Sequence, residues 1–130
     1  MADGDQTIVL TSETTPDTLT RAKNDDVWEK VITATYDDDD ATDVTLALRL
    51  NGTIRHITLA VPNTTNAITT QLQINDNGNN TIFDTGEVAE NATYNYSIDE
   101  PLSGTIDVVI GVSGEVGEGG SVIVATLRGI

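Results

Sequence analysis

From Val27 to the closing residues, apolar and polar side chains alternate along the chain with a period of two. Val44, Leu46, Leu48 and Leu50 alternate with Thr45, Ala47 and Arg49, which puts four aliphatic side chains on one face of an extended strand. Val27–Tyr36, rich in β-branched and aromatic residues, predicts a strand that the Asp37–Asp40 run ends. Asn51-Gly52 predicts a two-residue hairpin into a strand carrying Ile57, Leu59 and Val61, closed by Pro62. Further strands follow at Ala67–Ile74, at Thr81–Thr85, around Tyr94, Tyr96 and Ile98, and at Ile106–Val112. Ser121–Arg128 is apolar on both sides, so it is expected to be buried on both faces, central in a sheet or paired with another subunit. Asn75–Asn80 reads as a turn and Gly111–Gly120 as a glycine-rich loop. No stretch has helical periodicity. About eight short strands punctuated by turns predict an all-β, antiparallel β-sandwich of jelly-roll type.

A chain of 130 residues is expected to build one domain around one core. The alternation assigns residues 27–130 to the sandwich. Residues 1–26 are polar and weakly patterned, an extended N-terminal arm with one short strand at Thr7–Leu10. The arm either docks on a neighbouring subunit or is a loose terminus. Aromatics are few, so the core must be aliphatic, with Trp28 its largest contributor if buried.

Charge narrows the function. Asp and Glu number 21 against six Lys and Arg, for a net charge of −15. Self-repulsion at that density weakens a compact domain unless salt screens it. Aspartate excess and lysine scarcity favour adaptation to high salt over a merely soluble surface. The six basic residues are dispersed, which argues against nucleic acid and against an anionic membrane surface. There is no cysteine. The first residues lack the basic start and long apolar run of a signal peptide, so export by that route is not expected.

No catalytic set emerges. His56, the single histidine, falls on a strand with no second support for a triad, and its expected neighbours on that face are Ile54 and Thr58. No carboxylate pair is singled out by an apolar setting. The chain is therefore expected not to be an enzyme and to need no cofactor. Asp37, Asp38, Asp39, Asp40 and Asp76 carry oxygen ligands suited to hard cations, but the EF-hand pattern fails and plain turns are the preferred reading. Five Asn-X-Ser/Thr sequons reflect a composition rich in threonine and asparagine. Gly114, Gly117 and Gly120 sit in a loop with two glutamates and no lysine, unlike a phosphate cradle. That loop reads as a flexible hairpin or a contact between subunits. Trp28, Gly114, Gly117 and Gly120 are the interface candidates.

Four stretches carry a resemblance to known proteins: Val61–Ala67, Leu72–Gly78, Thr81–Gly86 and Pro101–Ile106. Together with the closing Val124–Leu127 strand, they resemble small β-sandwich virion proteins of tailed viruses over about residues 43–128. With the acidic bias, the resemblance implies a virus of a halophilic archaeon. It implies a structural virion protein, a capsid decoration or turret protein, that forms homo-oligomers (a trimer or pentamer) and binds the major capsid protein or another virion protein. Such a protein is assembled in the host cytoplasm and located in the virion. The alternative is a carbohydrate- or host-surface-binding module of a tail or fibre, for which Tyr94 and Tyr96 are the aromatic candidates, with core packing as their preferred role.

Overall fold

The computed structural model describes residues 6–14 and 27–130; the rest of the predicted arm lies outside the described residues. All regular structure among them is strand. The elements are β1 (Thr7–Thr14), β2 (Trp28–Tyr36), β3 (Val44–Arg49), β4 (Gly52–Val61), β5 (Thr69–Asn75), β6 (Thr81–Asp84), β7 (Val88–Ala89), β8 (Ala92–Leu102), β9 (Thr105–Val112) and β10 (Ser121–Gly129). Every pairing is antiparallel. Sheet A has the order β1-β2-β10-β4-β8, and sheet B the order β3-β9-β5-β6 with β7 also on β5. The expected strand count rises to ten because β1 pairs along β2 and a two-residue β7 is present.

The strand order is that of a jelly roll, the fold class that the strand spacing predicts. From β2 to β5, and again from β8 to β10, successive strands change sheet. The Asn51-Gly52 hairpin is corrected on this point. β3 pairs with β9 and β4 pairs with β10 and β8, so the turn carries the chain from sheet B to sheet A. Gly52 has φ of +151°, and a Cβ there would come within 2.8 Å of the Ile130 carbonyl. Asn51 does not take the positive φ of a two-residue hairpin turn, and it is the missing Cβ of Gly52 that lets the reversal pass the Ile130 carbonyl.

Ile32, Ala34, Ile54, Ile57, Leu59, Ile123, Ala125 and Leu127 face inward from sheet A, against Leu48, Leu72, Ile74, Ile106, Val108 and Ile110 of sheet B. The core is aliphatic, as the composition requires. Trp28 belongs to it at 7% exposure, its ring 2.6 Å from where a Cβ on Gly129 would sit. β10 is the middle strand of sheet A, but burial on both its faces is not found: Val122 is 51% exposed. Pro101 lies in β8, an edge strand, where a missing N–H is tolerated.

Candidate functional site

Outward positions of β5 and β9 carry an organised polar surface. Gln71 and Gln73 stand on alternate positions of β5, so both point away from the core. Their amides donate to the two oxygens of Asp84, at 2.8 and 3.0 Å. The Gly86 N–H donates to the same carboxylate at 2.8 Å. These bonds hold the Asp84 carboxyl below its ordinary value, Gln73 contributing most, then Gln71 and Gly86. Beside them Thr69 donates to Glu87 at 2.8 Å, and its backbone exchanges hydrogen bonds with Ser113. Gly111 on β9 carries no Cβ at the centre. The Asp43 carboxylate lies in the space that a Cβ on Gly111 would take. The result is a hollow of about 70 Å³ lined by Asp43, Thr69, Gln71, Gln73, Glu87 and Ser113.

The outer face of sheet A has the opposite character. Cross-strand partners form rows: Thr7-Thr35-Val122, then Val9-Thr33-Val124-Ala60-Thr93, then Ser12-Val31-Thr126-Thr58-Asn95. No member of these rows is charged. The next row is Glu29-Arg128-His56-Ser97, where Arg128 donates to Glu29 at 2.7 Å. Arg55 pairs with Asp99 at 3.5 Å near the same end. Asp84 and Asp107, by contrast, lie on the outer face of sheet B with Asp43 and Glu87 at its hollow. Among the described residues, the unpaired carboxylates on the broad sheet faces are thus gathered on sheet B.

The anticipated residues fall elsewhere. Asp37–Asp40 forms a turn in which Asp37 N–H donates to the buried Asp40 carboxylate at 2.7 Å. Asp38 accepts from Gly117 N–H through its carbonyl, at 2.8 Å, and from Gly119 N–H through its side chain, at 3.2 Å. The run is therefore the seat of the glycine loop. Among the described residues, no group of three or more His, Asp or Glu is placed to hold a metal ion. Asp76 caps its own turn, accepting from Gly78 and Asn80 N–H at 2.9 and 2.8 Å. Those bonds, Asn80's above all, lower its pKa.

The flexible hairpin expected at Gly114–Gly120 is a pinned loop instead. Val116 is fully buried, and its carbonyl accepts from Asn66 N–H at 3.1 Å. Asn66 and Thr65 side chains donate to the Glu115 and Glu118 carbonyls. Gly117 and Gly120 have φ of +91° and +66°, and the Gly120 position abuts the Tyr36 carbonyl. Gly114 is half-buried near Ile68. Trp28, named both as an interface candidate and as the largest core residue if buried, is a core residue in the structure. His56 is outward and half-buried, 3.2 Å from Asn95, but Ile54 does not share its face. A bulge between Ile54 and His56 turns Ile54 inward. Tyr94 and Tyr96 face the interior: Tyr94 donates to the Ala89 carbonyl at 2.8 Å, and Tyr96 meets Phe83 edge-on at 5.2 Å. Burial raises the Tyr96 pKa, with Tyr94 adding to it. Asp43, Gln71, Gln73 and Gly111 do not stand out as site residues in the sequence. Gly111 was the available signal, a glycine inside an otherwise regular strand.

No family model and no curated protein matches this chain. Solved structures do. A carbohydrate-binding module, TmCBM61 in complex with β-1,4-galactotriose, aligns over 96% of this chain and 88% of its own at 11% identity, with a TM-score of 0.48. The CBM36-1 domain of a multidomain xylanase from the hindgut metagenome of Trinervitermes trinervoides aligns over 95% of each chain at 16% identity, TM-score 0.41. The enzymatically active domain of bacteriophage CBA120 tailspike protein 4 covers 97% of this chain and 19% of its own at 14% identity, TM-score 0.40. The chain is similar to carbohydrate-binding modules and to viral proteins alike.

Proposed function

We propose that this chain works by binding rather than catalysis, as a carbohydrate-binding β-sandwich whose ligand lies on the polar face of sheet B. One observation carries the reading: Asp43, Thr69, Gln71, Gln73, Glu87 and Ser113 converge on an open hollow, into which the missing Cβ of Gly111 admits the Asp43 carboxylate. Thr69 is already held by Glu87, and Gln71 and Gln73 by Asp84, so little entropy is lost when a ligand meets them. Carboxylates and carboxamide oxygens accept hydrogen bonds, and every sugar hydroxyl can donate one. The acidic lining repels phosphates and uronic acids, which leaves neutral oligosaccharides. With Tyr94 and Tyr96 turned inward, recognition rests on hydrogen bonds rather than on ring stacking.

A panel of neutral and acidic oligosaccharides tests this by calorimetry. Binding of a neutral member, reduced at least about tenfold by Gln73→Ala or Asp43→Ala, is the expected result. Binding indifferent to both substitutions, or no binding across the panel, overturns it.

A second reading is favoured by the uncharged face of sheet A. A structural virion protein of a salt-adapted tailed virus, decorating a capsid, needs one surface for contact and others for solvent. The sandwich has that division. Mass and copy number in purified particles decide this reading.

A further inference from the structure

We infer that the outer face of sheet A docks a second copy of this chain, sheet against sheet. The inference goes beyond both readings above and depends on neither.

The absence of charge is the first argument. The chain carries 21 carboxylates, yet the three successive rows across all or part of sheet A contain none. Their side chains are mainly valine and threonine, the β-branched residues that pack well on a pleated surface. Val9 and Val122 stand about half exposed, at 49% and 51%. Where charges do border the face, they neutralise one another: Arg128 with Glu29 and Arg55 with Asp99.

Size is the second. Counting the ion-paired Glu29-Arg128-His56-Ser97 row together with the three uncharged ones, five strands spaced ~4.8 Å apart, over about seven residues at ~3.3 Å, cover roughly 550 Å² on each copy. Two such faces bury about 1,100 Å², enough for a specific pair.

The occupant follows from the same features. An oppositely charged partner would be drawn to sheet B and the loops, where the carboxylates are. The sheet A face suits a partner that is itself flat, uncharged and β-branched. A second copy supplies that surface in matching rows, with β10, the middle strand, at the centre of a two-fold contact. The pairing also accounts for the sequence of β10, whose outward Val122 and Val124 give it apolar residues on both sides. At one corner a hollow of about 290 Å³ between Ala60, Pro62, Thr93 and Val122 leaves room for side chains from the facing sheet.

Two acidic bodies still repel across the gap, so the pair should tighten as salt rises. Sedimentation velocity over a range of protein concentrations, in about 0.1 M and about 2 M NaCl, tests this. A dimer favoured at high salt is expected. Val124→Lys and Thr58→Lys each place a charge on the face while lowering the net negative charge. Each should weaken the dimer by about 100-fold or more, with the circular dichroism spectrum unchanged. Gln71→Ala, on sheet B, should leave it intact. A monomer under every condition, an oligomer of another order, or a dimer untouched by both lysine variants overturns the inference. Loss of oligosaccharide binding by Gln71→Ala without loss of the dimer separates this test from that of the proposed function.

Discussion

The Tyr36 hydroxyl donates a hydrogen bond to the Ile110 carbonyl at 3.0 Å, joining β2 of sheet A to β9 of sheet B through the core. Burial, followed by the charges of Asp43 and Asp40, holds this phenol protonated well above the ordinary tyrosine range. It therefore remains a donor throughout the physiological range. Tyr36→Phe should cost about 1 kcal/mol, read as a lower urea midpoint with an unchanged slope.

Gly111 and Asp43 compete for one volume. Gly111→Ala forces the Asp43 carboxylate aside and should abolish any ligand binding at the hollow. Adding Asp43→Ala should recover the stability lost by the first change while leaving binding absent. A double-mutant cycle by thermal melting measures this coupling.

The glycine loop should loosen from one position. Gly120→Ala meets both a positive φ and the Tyr36 carbonyl, and should cost about 1–3 kcal/mol. Faster hydrogen exchange at the Gly117 and Gly119 amides, which donate to Asp38, is the local signature.

Acid should destabilise the fold in part through Asp84. Its carboxyl lies below the ordinary value of 3.8 when folded, so the ionised form is favoured by folding. Its stabilising effect is present above the unfolded pKa and disappears as pH falls through the folded one. Asp84→Asn should therefore flatten the stability profile below about pH 4 relative to the parent chain. Urea titrations across that interval give the comparison.

Salt should raise stability, because the carboxylates of sheet B share one face. The melting temperature is expected to climb between about 0.1 and 2 M NaCl, and to climb less in Asp107→Asn/Glu87→Gln. An unchanged melting temperature over that range would remove the case for halophilic adaptation.

Much of this fold is legible along the chain. The alternation in Val44–Leu50 and Ile106–Val112 marks both the strands and their inward faces, because a half-buried strand must alternate. Partner choice is not legible. Asn51-Gly52 specifies a reversal, but whether it returns within one sheet or crosses to the other depends on where β9 and β10 lie. The loop at Gly114–Gly120 reads as flexible from its glycines, and only Val116 hints at an anchor. The hollow was hidden for a similar reason. Gln71 and Gln73 look like any solvent face until Asp84, from another strand, fixes both amides.

The uneven placement of carboxylates has one more result. Among the described residues, the uncharged rows of sheet A and the carboxylates on the outer face of sheet B lie on opposite sides of the sandwich, a charge asymmetry perpendicular to the sheets. In the field of a charged surface such a body is turned before it touches. An anionic surface would be met by the valines and threonines of sheet A, and a cationic one by Asp43, Asp84 and Glu87. The arrangement selects which side arrives first, at distances where no side chain has yet made contact.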